Sequence, residues 1–331
     1  VADELPIVLI LGPTAGGKTE LAIALAGRLP GGGECICADS MQVYRGMDIG
    51  TAKPTAGQRA QVPHHLLDLL DPGEDGFSVD TWLGLAQGAI AEVRARARYP
   101  IVVGGTNLYV QALLEGLQEG PAPDPQLRTE LEAGDPVALR RRLEAIDPEA
   151  ARRIHPNDRK RTIRAVEVYE LTGRRISAMQ RQWHRGEPRR DVRIIGLDYS
   201  VEAINTRINA RVRAMIADGL VEEVRGLGNG PGRQAAEALG YRQVLDHLAG
   251  RLSLEEAVEQ IKIRTRRFAR QQRTWLRRFR IHPQATWLAA DGLSTQELVE
   301  KSLAAICRPP ERRPAAPCDE SAGGCISERL S

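Results

Sequence analysis

Ile7-Val-Leu-Ile-Leu11 runs straight into Gly12-Pro-Thr-Ala-Gly-Gly-Lys-Thr19, and the reading of that junction decides the fold. A short, unbroken apolar run closed by glycine predicts a strand buried on both faces. Gly12, Gly17, Lys18 and Thr19 fit G-x-x-x-x-G-K-[ST], the spacing of a phosphate-binding loop. Glycine lets backbone N–H groups close on phosphate oxygens with no Cβ in the way. A lysine here brings a point charge to the terminal phosphate, and the hydroxyl of Thr19 can ligate Mg²⁺. Glu20–Leu29 is helical by composition, so the positive end of its dipole faces the same anion. A glycine-rich turn could match by chance, but a strand before it and a helix after it argue against that. The whole loop, Gly12, Pro13, Thr14, Ala15, Gly16, Gly17, Lys18 and Thr19, is therefore a candidate polyphosphate cradle. Nothing in it says which polyphosphate.

Composition sets the bounds. A chain of 331 residues with 42% hydrophobic content can bury a sizeable core and predicts about two domains. No run approaches the ~20 apolar residues of a membrane span. Val1-Ala-Asp-Glu-Leu5 has neither a basic region nor a long apolar one, so no secretory signal is expected. The 5 cysteines lack metal-type spacing, which predicts reduced, cytoplasmic usage. The net charge of +3 is modest, and arginine crowds the second half. That unevenness hints at an extended polyanion; for net charge alone, a solvated arginine-rich surface is the favoured reading. No coiled-coil seam is visible, so a monomer is the default.

Outward from the first strand, Glu34–Ala38 and Pro100–Val103 read as further buried strands, with helical spacing over Phe77–Arg98 between them. Strand, helix, strand, helix with apolar strands predicts an α/β fold, a parallel sheet covered on both faces. Ligands bind such sheets at the carboxyl ends of the strands. The Gly12 loop, Asp39 and the Gly104-Gly-Thr106 turn all lie there and should converge. Gly120-Pro-Ala-Pro-Asp-Pro125 breaks the pattern, and only helices are expected from there to about Gly186: Gln126–Glu132, Pro136–Ile146, Pro148–Ile154 and Asn157–Leu171. Asn157 lacks an acidic capping-box partner at Lys160. Val192–Asp198 returns to strand; a long helix then ends near Gly226, another covers Leu254–Phe279, and Ser294-x-x-Glu297 opens a last one. The expected organisation is a P-loop NTPase-like α/β core over 1–118 and 187–306 carrying the basic helices, a helical insertion over 119–186, and a disordered tail over 307–331.

Three constellations carry chemistry. Asp39 ends the second strand beside the phosphate loop; it could hold a metal through water, act as a general base, or close an Asx turn. Lys262, Arg264, Arg266, Arg267, Arg270, Arg273, Arg277, Arg278 and Arg280 share a stretch that holds no acid. Ile261, Phe268, Trp275 and Phe279 form its apolar stripe and are expected in the core. Solvated helices interleave acids for i,i+4 pairing, so this stretch predicts contact with a phosphate backbone. Arg152, Arg153, His155, Arg159, Lys160, Arg161 and Arg164 make a second basic region. Two positive surfaces on two lobes suggest a groove around something elongated. His64-His65 points two ways and reads as structural rather than metal-binding.

GPTAGGKT, ADSMQVYRGMDIGTAKP, PHHLLDLLDP, VVGGTNLY, HPNDRKRTIRAVEVYELTG and ALGYRQ, in this order, resemble the tRNA dimethylallyltransferase family over about Pro6–Trp287. The resemblance implies transfer of a dimethylallyl group from dimethylallyl diphosphate to N6 of the adenine 3′ to the anticodon, in tRNAs reading codons that begin with U. It implies that the loop holds the diphosphate leaving group with Mg²⁺ on Thr19. It makes Asp39 the general base and places Lys18, Thr19 and Arg211 at the diphosphate. The tRNA contacts it carries over are Asp39, Ser40, Met41, Gln42, Thr106, Arg128, Lys160, Arg161, Thr162, Ile163, Arg164, Glu237, Ala238, Leu239, Gly240, Tyr241, Arg242, Arg270, Arg273 and Arg277. Gly16 stands where the family usually has serine or a similar small residue. Gln271 stands where it often has arginine, so that phosphate contact would fall to Arg270 or Arg273. The competing classes are an adenylate isopentenyltransferase acting on free nucleotide, a P-loop small-molecule kinase, and a non-catalytic RNA-binding protein with a relic loop.

Overall fold

The computed structural model describes residues 4–117, 120–183, 189–227 and 230–307. The first strand is β1 (Ile7–Leu11), buried along its whole length, and the loop after it feeds α1 (Lys18–Ala26). Then follow β2 (Gly33–Cys37), the short α2 (Ala56–Gln61) and β3 (His64–His65), α3 (Val79–Ala95), β4 (Tyr99–Val103) and α4 (Asn107–Glu115). Five helices come next: α5 (Pro125–Ala133), α6 (Pro136–Ile146), α7 (Pro148–Arg153), α8 (Arg159–Thr172) and α9 (Ile176–Trp183). The chain returns through β5 (Val192–Asp198), α10 (Val201–Ala217), α11 (Leu220–Arg225), α12 (Arg233–Ala236), α13 (Tyr241–Leu248), α14 (Leu254–Leu276), a 3₁₀ turn (Arg277–Ile281), β6 (Ala285–Ala289) and α15 (Thr295–Ile306).

The sheet is parallel, in the order β3-β2-β4-β1-β5-β6, with β1 central. Alternation along β1 divides the core. Val8 and Ile10 join the cluster under α1, α10, α13 and α15. Ile7, Leu9 and Leu11 join the one under α3, α4 and the end of α14. A strand that must serve two buried faces has no place for a polar residue, which is why β1 reads as a continuous apolar run.

Helices α5–α8 pack around a separate cluster of Leu131, Leu139, Leu143, Ile163 and Val166. Proline at the first turn and an aspartate cap, Asp124, Asp135 or Asp147, start α5, α6 and α7. α8 starts at Arg159, two residues later than the sequence pattern places it: Asp158, not Asn157, caps the Arg161 N–H at 3.1 Å.

Three expectations about elements are corrected. The long helix expected to reach Gly226 is broken by left-handed Gly219 (φ 98°) into α10 and α11. The helix expected to run to Phe279 ends at Leu276 and tightens into the 3₁₀ turn. β6 was not foreseen: it is a half-exposed edge strand without a strong apolar run. The expected disordered tail from Arg308 onward lies outside the described residues.

Candidate active site

The carboxyl ends of β1, β2 and β4 meet as expected. Lys18 folds back into the phosphate loop, where its ammonium donates to the carbonyls of Gly12 (3.1 Å) and Pro13 (2.9 Å). Burial, reinforced by the positive charge of Arg211, pushes its pKa down to about 8. Ala15 (φ 61°) and Gly17 (φ 76°) are both left-handed. Strain of that kind in a non-glycine residue persists only where the surroundings enforce it. The enforcement is visible: the Arg207 Nε donates to the Ala15 carbonyl (2.7 Å), and the Tyr199 hydroxyl donates to the Gly16 carbonyl (3.0 Å). The carbonyls of the loop are thus engaged from outside. Its Thr19 hydroxyl has no hydrogen-bond partner among the described residues and lines the cavity, as an oxygen ligand for Mg²⁺ beside a phosphate would.

Asp39 follows β2. One carboxylate oxygen accepts the Met41 N–H at 2.9 Å, closing an Asx turn, and Oδ2 accepts no hydrogen bond among the described residues. The turn and a chemical role are therefore compatible in one side chain. Ser40 is fixed by its N–H to the Thr106 hydroxyl (2.9 Å), which ties the β2 and β4 ends together. A Cβ on Gly104 would lie 2.1 Å from the Ala38 carbonyl oxygen, so only glycine lets the two strand ends close this tightly.

Two cavities meet at this point. One, of about 840 Å³, is walled by the phosphate loop, Asp39, Ala52–Ala56, Arg207 and Arg211. The other, of about 460 Å³, is walled by Ser40, Met41, Glu237–Gly240, Arg264, Arg267 and Gln271. Thr14, Asp39, Arg211 and Phe268 line both. Arg211 is largely enclosed, its Nη1 3.5 Å from the Thr14 hydroxyl. The arrangement offers one chamber suited to polyphosphate, a second lined by α14, and a carboxylate with a guanidinium at the passage between them.

Other sequence-predicted residues take different places. Thr162, Ile163 and Tyr241 are buried, so their side chains contribute to packing rather than to a contact surface, whereas buried Ala238 also walls the second cavity. Tyr241 donates its hydroxyl to Glu223 at 2.5 Å. Arg128 and Arg164 both hold buried Glu167, at 2.8 and 2.6 Å. Arg159 is bound to the carbonyls of Glu132 and Gly134. The Gln42 amide is used internally, donating to the carbonyls of Thr51 (3.0 Å) and Ala52 (3.2 Å) and accepting from the Cys37 thiol. Lys160 and Arg161 stay outside, and Arg242 pairs with Glu237 at 2.9 Å. Leu239 and Gly240 wall the second cavity.

Arg270 on α14 and Arg277 just after it are exposed and Arg273 is half-buried; none has a partner among the described residues. Acids do reach this stretch, one from α14 itself and two from other elements. Lys262 pairs with Glu259 (2.5 Å), Arg278 with Glu115 (3.7 Å) and Arg280 with Asp198 (2.5 Å). Phe268, expected in the core, is 37% exposed and lines both cavities. His65 is paired with Glu34 at 2.7 Å, and no cluster of metal-ligating side chains exists among the described residues.

The sequence reading missed Gln272, which is only 2% exposed. Its Oε1 accepts the Thr14 N–H (2.8 Å), and its Nε2 donates to the Gly105 carbonyl (3.0 Å). The available signal was spacing: Gln272 lies three residues after Ala269 and four before Leu276, on the buried stripe of α14.

The fold and the paired cavities define a parallel α/β protein with a phosphate-binding type of loop at its site. The IPP transferase family model matches residues 42–279. The tRNA dimethylallyltransferase of Anaeromyxobacter dehalogenans is 50% identical over 83% of this chain and 92% of its own. Among solved structures, the tRNA isopentenylpyrophosphate transferase of Bacillus halodurans is 39% identical with a TM-score of 0.64, covering 91% of this chain and 97% of its own. A eukaryotic dimethylallyltransferase acting on tRNA is 27% identical with a TM-score of 0.76, covering 92% of this chain and 81% of its own. The chain belongs to the IPP transferase family.

Proposed function

We propose that this enzyme transfers the dimethylallyl group of dimethylallyl diphosphate to N6 of the adenine 3′ to the anticodon, in tRNAs reading codons that begin with U. The observation that carries the reading is the position of Asp39 and Arg211 at the junction of two cavities, one walled by the phosphate loop and one by the arginine-rich α14.

The loop amides and Lys18 receive the diphosphate, with Arg211 above them. The allylic C–O bond breaks, and its electron pair leaves with the diphosphate. These donors stabilise the charge that develops there. The adenine leaves its stack to enter the second cavity. Its exocyclic nitrogen forms the new C–N bond, and the free Oδ2 of Asp39 takes the N6 proton as attack proceeds. An aromatic amine is a weak nucleophile, so general-base assistance contributes most where the bond is forming. The Thr19 hydroxyl would hold Mg²⁺, whose charge would offset that of the leaving group. A free nucleotide would leave the unpaired arginines of α14 without a partner, which favours tRNA over AMP. A tRNA substrate also places the enzyme in the cytoplasm.

The test is a transfer assay with radiolabelled dimethylallyl diphosphate, Mg²⁺ and unmodified tRNA, with AMP and ATP in parallel tubes. Label on tRNA, falling about 10²–10⁴-fold in Asp39→Ala, is expected. Label on AMP alone would make the protein a free-nucleotide enzyme. ATP hydrolysis without prenyl transfer would mean that the loop holds a nucleoside triphosphate.

A further inference from the structure

Gln272 is the one buried polar side chain of α14, and it touches both halves of the site. Its amide orientation follows from its partners. Oε1 must face the Thr14 N–H and Nε2 the Gly105 carbonyl, because the flipped amide would set donor against donor and acceptor against acceptor. Thr14 belongs to the phosphate loop and lies beside Arg211. Gly105 backs the carboxylate: a Cβ there would lie 2.9 Å from Gln272 Nε2 and 3.4 Å from Asp39 Oδ2. The glycine pair after β4 thus seats the amide as well as the strand ends. Arg270, two residues earlier on the same helix, points into solvent without a partner among the described residues.

We propose that Gln272 is a positioning residue that couples RNA docking on α14 to the diphosphate loop and to the backing of Asp39. The proposal rests on the function inferred above. A helix moves as a rigid element, so RNA that settles on its arginines shifts the amide, and the amide carries Thr14 and Gly105 with it. Both links are hydrogen bonds of one side chain. Its removal therefore uncouples two sites while leaving the contacts to each ligand in place. By linkage the effect is reciprocal: each ligand strengthens binding of the other by the same factor.

The experiment is calorimetric titration of the full chain with inorganic diphosphate and Mg²⁺, without and with a saturating unmodified anticodon stem-loop. In the wild type the stem-loop is expected to tighten diphosphate binding by roughly tenfold, within the usual range of such couplings. In Gln272→Ala that factor falls below about twofold, and the KM for tRNA at saturating dimethylallyl diphosphate rises by the factor that is lost. Gln272→Glu keeps the acceptor for Thr14 and loses the donor to Gly105, so an intermediate factor is expected; it also serves as the readout where the alanine variant fails to melt cooperatively. Equal coupling in the wild type and both variants overturns the proposal. So does a wild type that binds both ligands independently. A wild type that binds neither diphosphate nor stem-loop overturns the functional reading itself, a result distinct from the other two.

Discussion

Helices α8 and α14 are both arginine-rich, and the protein uses them in opposite ways. In α8 the charge is largely spent inside. Arg164, together with Arg128 from α5, grips Glu167, which is fully buried, and Arg159 satisfies two carbonyls at the end of α5. On α14 and at the start of the 3₁₀ turn after it, Arg264, Arg267, Arg270 and Arg277 are exposed and have no partner among the described residues. The difference lies in where the acids are. Glu167 sits on the apolar face of α8 itself, whereas the acids near α14 pair with Lys262, Arg278 and Arg280 and with none of those four arginines. A run of positive charge in sequence is therefore not evidence of a binding surface until its partners are placed.

The largest effect that would test this contrast is structural. Glu167→Ala leaves two guanidinium groups and the Asp124 N–H without their acceptor. Breaking a buried pair costs about 3–5 kcal/mol, and the partial exposure of both arginines reduces that to about 2 kcal/mol here. Burial works against ionisation of Glu167, but the hydrogen bonds from both arginines win and hold its pKa below the ordinary value. For a depressed carboxylate the stabilisation is present above the unfolded pKa and is lost as pH falls through the folded one. The gap between wild type and Glu167→Ala, measured by urea unfolding, should begin to narrow as pH falls through the ordinary carboxylate value of about 4.3 and close only below the depressed folded value. A gap that persists there would mean that packing, not charge, is what Glu167 supplies.

The mirror experiment on α14 should leave stability within about 0.5 kcal/mol and weaken RNA instead. Arg267→Ala with Arg270→Ala is expected to cost roughly tenfold in stem-loop affinity. It should also flatten the salt dependence by about 1.5, two phosphate contacts' worth. An unchanged slope would show that these arginines face solvent only.

Lys18 is a third kind of cation, neither paired with a carboxylate nor exposed to solvent. With its pKa pushed down to about 8 by burial and by Arg211, it is charged at neutral pH and loses its proton where the arginines cannot. Dimethylallyl diphosphate binds the charged form. Affinity should therefore be flat below pH 8 and about tenfold weaker at pH 9, while stem-loop affinity stays level across the same range. Parallel loss of both would place the titration elsewhere.

Sequence made the centre of the molecule legible and left its joints hidden. β1, β2 and β4 are buried on both faces, so their composition is restricted, and the turns after them carry the residues a phosphate site needs. Asp39 and the Gly104-Gly-Thr106 turn could be brought together from topology alone. β6 could not be found, because a half-exposed edge strand such as Ala285–Ala289 is under no such restriction. Phe268 has the spacing of a core residue but faces a cavity, and apolar periodicity cannot tell a core from a chamber wall. Gln272 stayed hidden because an amide among arginines reads as one more polar residue. Its meaning comes from two backbone groups, one more than 250 positions and the other more than 160 positions away in the chain.

The smallest effect is also the one that decides how far the contrast extends. Lys160 opens α8 with its side chain 77% exposed, and its contact with Glu237 is loose at 3.9 Å. Such a pair contributes close to nothing to stability, and Glu237 keeps its shorter contact with Arg242 after the lysine is gone. Lys160→Ala should therefore melt with the wild type. If the insertion touches RNA through the cations it has not spent, stem-loop affinity falls by about two- to threefold, the worth of one screened contact. Lys160→Glu should deepen that loss and steepen its dependence on low salt. No change in either variant would confine the RNA surface to α14. A loss as large as that of the paired α14 variant would mean that one exposed lysine on α8 matters as much as two arginines on α14, and the division between spent and unspent charge would no longer separate the two helices.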